Sequence, residues 1–230
     1  MAPPEHKLPA ILCLHGSGVN VEIFRLQTVR LQNALSNSFE FVFLNGPVEA
    51  PAGAGILPIF EGCEPFFRWK KTGDNIYEKD LDKETRDYLQ KEMKKRDDWV
   101  GILGFSQGGR VAAGLLMEQE EEQKADMYGD EGGFKFGVFT MTPAPPMTAL
   151  AHRESPELIK TPSLHVVGMQ DHWYDSSIAM QSDYFDSKTS KLIEIDIGHR
   201  LPTADADTKM IAREILRMYK ETTGIEGKLS

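Results

Sequence analysis

Short apolar runs alternate along this chain with longer stretches in which apolar residues recur every three or four positions. The short runs, at 8–14, 39–44, 99–103, 135–141, 163–167 and 191–197, predict six strands. Several are apolar almost throughout, as strands covered on both faces should be. The longer stretches, at 21–35, 82–94, 107–118, 176–187 and 204–222, predict five helices. In the last of these, Met210, Ile211, Ile215, Leu216 and Tyr219 share one face, which reads as packing on a sheet. Strand–helix alternation predicts an α/β fold, a mostly parallel sheet of about six strands with helices on both faces. No repeat or linker divides residues 1–230, so a single domain is expected.

Two segments break the alternation. Residues 46–80 form a long predicted loop carrying Ile56, Leu57, Ile59, Phe60, Phe66, Phe67 and Trp69. A loop of this length reads either as an active-site wall or as a contribution to the core. On the first reading Phe66, Phe67 and Trp69 are candidate substrate-binding residues, with segment 143–147 beside them, and they favour an apolar acyl group. Residues 118–133 are acidic and end in Gly-Asp-Glu-Gly-Gly, which predicts a solvated loop.

The chemistry is concentrated at Gly104-Phe105-Ser106-Gln107-Gly108, a G-x-S-x-G string between a predicted strand and a predicted helix. A serine at such a turn is held with its hydroxyl above the sheet edge. The flanking glycines avoid clashes with the neighbouring strand and helix. The helix N-terminus behind Ser106 adds partial positive charge. Earlier, the first strand runs into His15-Gly16-Ser17-Gly18-Val19-Asn20, a place for a second oxyanion donor. The backbone N–H groups of Ser17 and Gln107 are therefore the candidate oxyanion hole. His15 is expected to brace this turn.

Of the six histidines (His6, His15, His152, His165, His172 and His199), His199 follows the last strand and stands in the order Ser, acid, His. His165 lies within a strand and reads as a core residue. For the acid, Asp171 lies in the loop after the strand at 163–167. Its competitors are Asp175, which reads as a cap for a helix starting at Ser176, and Asp196, which shares a strand end with His199. Ser106, Asp171 and His199 are thus the candidate catalytic residues, for acyl transfer to water.

Composition excludes other classes. Lys and Arg number 26 against 35 Asp and Glu, a net charge of −9, which argues against nucleic-acid binding. No apolar run approaches the roughly 20 residues of a membrane span. The first residues have no signal-peptide pattern. Two isolated cysteines, Cys13 in a predicted strand and Cys63 in a loop, make no disulfide framework, so a cytoplasmic location is expected. There is no H-E-x-x-H spacing, and neither metal nor cofactor is expected.

Together, these segments resemble the family of serine hydrolases, common in fungi and related to a human ovarian-tumour-associated hydrolase. The matching pieces are Ile11-Leu12-Cys13-Leu14-His15-Gly16; Asn20 with Phe24 and Gln27; Phe41-Val42-Phe43; Gly104-Phe105-Ser106-Gln107-Gly108-Gly109; Gly168-Met169-Gln170-Asp171; and Gly198-His199-Arg200-Leu201-Pro202. They span nearly the whole chain. The resemblance implies an α/β-hydrolase fold and a Ser106–Asp171–His199 triad. One departure is Ile197, where family members often have glycine. Some relatives look like release thioesterases that free an acyl or polyketide chain from an acyl carrier protein. Three readings stand: a thioesterase on acyl-thioesters, a carboxylesterase on small esters, and a catalytically silent binding protein.

Overall fold

The computed structural model describes residues 7–71, 79–124, 132–150 and 157–230. Six strands form one parallel sheet: β1 (Ala10–Leu14), β2 (Glu40–Leu44), β5 (Trp99–Phe105), β6 (Phe136–Thr140), β7 (Ser163–Gly168) and β8 (Ser190–Ile195). Their order across the sheet is β2-β1-β5-β6-β7-β8, with parallel register such as Leu14 beside Gly104 and Thr140 beside Val166. The five helices are α1 (Val21–Leu35), α2 (Lys83–Met93), α3 (Gln107–Lys124), α4 (Tyr174–Tyr184) and α5 (Asp205–Thr223). This is the fold the alternation predicts. All six expected strands are present, their bounds shifted by one or two residues.

The alternation of side chains along β1 divides the core in two. Ile11 and Cys13 pack with α1 and α5 through Ile23, Phe24, Ile211, Ile215 and Met218. Leu12 and Leu14 face the other way, towards Leu89 of α2, Val111 and Leu116 of α3 and Met180 of α4. Both faces of the central strands are dry, which explains their nearly unbroken apolar runs.

Three local expectations change. The segment 46–80 is not loop throughout: β3 (Val48–Ala50) pairs antiparallel with β4 (Phe66–Arg68) in a separate ribbon. Helix α3 runs on to Lys124, past the expected end at 118, because its Glu, Gln and Met residues favour helix. The buried Glu118 carboxylate anchors it, accepting from the Thr148 hydroxyl at 2.9 Å, Ala149 N–H at 2.7 Å and Arg86 Nε at 2.9 Å. Residues 125–131 of the expected acidic loop lie outside the described residues, as do His6 and His152. Helix α4 begins at Tyr174, so Asp175 lies in its first turn and is not its cap.

Two histidines are buried in the frame. His165 of β7 stacks on Phe139 at 4.9 Å and meets Phe185 edge-on at 4.5 Å; burial pushes its pKa down to about 3. Burial likewise lowers His15 to about 4, against a weaker opposing hydrogen bond to Gly16. Both are neutral in the fold, whereas the unfolded chain protonates them near the ordinary value of 6.5. The folded pKa lies below the unfolded one, so stability falls as pH drops from about 6.5 towards 4. The slope contributed by each histidine approaches about 1.4 kcal/mol per pH unit. Urea unfolding between pH 7 and pH 4.5 measures it, and His165→Phe is expected to remove about half of the histidine contribution.

Candidate active site

The turn between β5 and α3 sets the centre of the site. Ser106 has φ of 52°, in the left-handed region that non-glycine residues seldom occupy. Its N–H donates to Thr140 O on β6 at 3.0 Å, and its carbonyl accepts from Gly109 and Arg110 N–H as α3 begins. The turn closes only because α3 presses against the sheet. A Cβ on Gly104 would overlap the backbone of Gly109, and one on Gly108 would overlap the carbonyl oxygens of Leu14 and His15.

Two further strand ends bring in the acid and the imidazole. The loop after β7 carries Asp171, and the turn after β8 carries His199. Asp171 Oδ2 lies 2.7 Å from His199 Nδ1, and His199 Nε2 lies 3.0 Å from Ser106 Oγ. An ionised carboxylate can only accept, so Nδ1 carries the proton and Nε2 accepts from the serine hydroxyl. The other Asp171 oxygen accepts from Trp173 N–H at 2.9 Å and lies 3.5 Å from His172 Nδ1. Burial opposes ionisation of Asp171, but its hydrogen bonds to His199 and Trp173, with attraction to both imidazoles, hold its carboxyl below the ordinary range. Asp196 is elsewhere: it is exposed and accepts from Gln170 Nε2 at 2.8 Å.

A cavity of about 560 Å³ opens over Ser106, bordered by Ser17, Gln107 and His199. Among the described residues, neither Ser17 N–H nor Gln107 N–H has an acceptor, and both residues border the cavity. Gly18 lets the first of these turns pass close to Gly53: its φ is 71°, and a Cβ there would overlap Gly53 N.

Residues 5–211 match the family described as Serine hydrolase (FSH1). The chain belongs to that family. Esterase FUS5 of Gibberella fujikuroi is 32% identical over 215 residues, covering 92% of this chain and 88% of its own. Thioesterase FSL2 of Gibberella zeae is 28% identical, covering 92% and 93%. In fold, the chain resembles the crystal structure of a carboxylesterase from Mesorhizobium loti, with TM-score 0.54, 17% identity and coverage of 90% and 88%. The chain is thus a serine hydrolase of α/β-hydrolase fold, and no described helix is long and apolar enough to cross a membrane.

The expected aromatic wall is the part of the site that changes. Phe66, Phe67 and Trp69 do not line the cavity of this FSH1 hydrolase. Trp69 is fully buried beneath it: its indole N–H donates to His15 O at 2.8 Å, and its backbone N–H donates to Gln107 Oε1 at 2.9 Å. Phe66 is core, and Phe67 uses its backbone to bind Gly18 and Val19. Trp69 and Phe67 brace the segment after β1. The walls come instead from the 53–56 turn, and from Pro143 and Met147 of the segment expected beside them. Sequence reading missed Gln27, Lys70, Arg110 and Arg200 at the cavity edge. Only Gln27 and Arg200 carried any signal, as members of matching segments.

His15 braces the same region. Its Nε2 accepts from Gly46 N–H at 2.9 Å, so Nδ1–H donates to Gly16 O at 2.7 Å. Trp69→Phe strands the His15 carbonyl in a dry site, which costs about 1–3 kcal/mol. Thermal or urea unfolding is expected to record that loss while the ranking of acyl chain lengths stays as in wild type. A changed ranking would return Trp69 to the pocket wall.

Proposed function

We propose that this hydrolase cleaves a carboxylic ester or thioester through an acyl-enzyme on Ser106, with His199 as base and Asp171 as its partner. The observation that supports this reading is the unbroken chain of contacts from Asp171 Oδ2 through the imidazole to Ser106 Oγ, at 2.7 and 3.0 Å. As Oγ bonds to the substrate carbonyl carbon, His199 Nε2 takes its proton and the carbonyl electrons move onto oxygen. The resulting oxyanion faces the N–H groups of Ser17 and Gln107, each worth about 3 kcal/mol in such a role. Collapse breaks the C–O or C–S bond, and His199 returns the proton to the departing alcohol or thiol. Water then repeats the sequence on the acyl-enzyme. Asp171 remains ionised throughout and stabilises the imidazolium.

The acyl side is read as apolar, since Val19, Ile56, Phe105, Pro143 and Met147 border the cavity. We place the physiological substrate among acyl-thioesters, with release of an acyl or polyketide chain from an acyl carrier protein as the specific role. A relative named a thioesterase supports this. Relatives named esterases support the second reading, small carboxylic esters. The unpaired thiols of Cys13 and Cys63 support a reducing, cytoplasmic setting.

A fluorophosphonate probe is expected to label the wild-type chain and leave Ser106→Ala unlabelled. Asp171→Asn, which favours the wrong imidazole tautomer, is expected to lower kcat by about 10⁴-fold. Matched thioester and oxygen-ester substrates rank the two substrate classes. A wild-type chain that resists the probe and hydrolyses neither overturns the assignment.

A further inference from the structure

The proposed chemistry uses one imidazole and one carboxylate, yet further basic side chains border the cavity. The chain as a whole has a net charge of −9. Lys70, Arg110 and Arg200 nonetheless border the cavity, with His172 beside them, and no Asp or Glu is among the described residues lining it. Lys70 and Arg110 are buried and tethered to the frame: Lys70 Nζ donates to Asp80 O at 3.0 Å, and Arg110 Nε donates to Pro145 O at 2.7 Å. Arg200 is different, because it is exposed at the cavity edge. Among the described residues no carboxylate lies within ion-pair distance of it. A half-enclosed cleft lined by one sign of charge concentrates ligands of the other sign.

Arg200 is next in the chain to the imidazole that serves the leaving group. It follows His199 directly, and His199 Nε2 faces Ser106 Oγ. The leaving group departs on the side of the imidazole that protonates it, and Arg200 borders the same cavity as that imidazole. We propose that Arg200 selects substrates whose leaving group carries an anionic oxygen group, a carboxylate or a phosphate, which its planar guanidinium binds with two parallel donors. The inference rests on the Ser106–His199 reading above.

The experiment uses the S-butanoyl thioesters of 3-mercaptopropionate and of 3-mercaptopropionamide, which differ in charge, with butanoyl-coenzyme A as the phosphate arm. For wild type, kcat/KM is expected to favour an anionic substrate over the amide by about tenfold, and to lose that preference in about 0.5 M salt. Arg200→Ala is expected to bring the ratio near one, Arg200→Glu to invert it, and Arg200→Lys to retain part of it. Because these are ratios within one protein, a partly unfolded variant does not mimic the effect. Preference for the carboxylate alone, or for coenzyme A alone, identifies the group recognised. Equal rates in wild type, or a ratio unmoved by Arg200→Ala, overturn the inference while leaving Ser106 in place. No turnover together with no fluorophosphonate labelling overturns the nucleophile reading itself.

Discussion

The close seating of α3 on the sheet is the constraint from which the rest of the site follows. Its first turn lies against the carbonyls that end β1, at a separation that a single Cβ on Gly108 would prevent. That approach forces Ser106 into a left-handed conformation, held by its N–H bond to Thr140 on the next strand. Strain of this kind persists only where the surroundings over-determine it. Here strands on either side of β5, together with the helix that leaves it, do so. The same approach brings Gln107 and Ser17 to one cavity, since Ser17 follows the strand end that α3 touches.

The acid and the imidazole come from the far side of the sheet. β7 and β8 are adjacent and in register, so the loops after them run together, and a short reach joins Asp171 to His199. Electrostatics then acts in two ways. Burial alone would favour a neutral Asp171, but its hydrogen-bond donors reverse that preference and keep a negative charge behind the ring. On the cavity side, Lys70, Arg110 and Arg200 are among the lining residues, in a chain that is acidic overall.

Beneath the site lies a polar brace that resembles a second active centre in composition but is structural. His15, Trp69, Gly46 and Gln107 exchange hydrogen bonds in a dry interior, and the imidazole stays neutral because burial holds its pKa near 4. This network ties the β3–β4 ribbon to the segment after β1. It gives the 46–80 segment a framework role at Trp69 and a cavity-lining role only around 53–56.

Local chemistry made much of this legible in the sequence. Short apolar runs located six sheet strands, and recurrence every three or four positions located five helices. A serine between glycines at a strand-to-helix boundary, and the order of Ser106, Asp171 and His199 after successive strands, pointed to residues that the fold brings together. These features are set by neighbours within a few residues or by chain order, so one dimension is enough to read them. What only the tertiary structure decided involves partners far apart in the chain. Whether Trp69 faced a cavity or the core depended on His15 and Gln107, and the end of α3 depended on Glu118 meeting Thr148. The meeting of Lys70, Arg110 and Arg200 at one cavity likewise involves separate segments. An aromatic or charged side chain has the same sequence signature in either setting, and only packing determines which surface it faces.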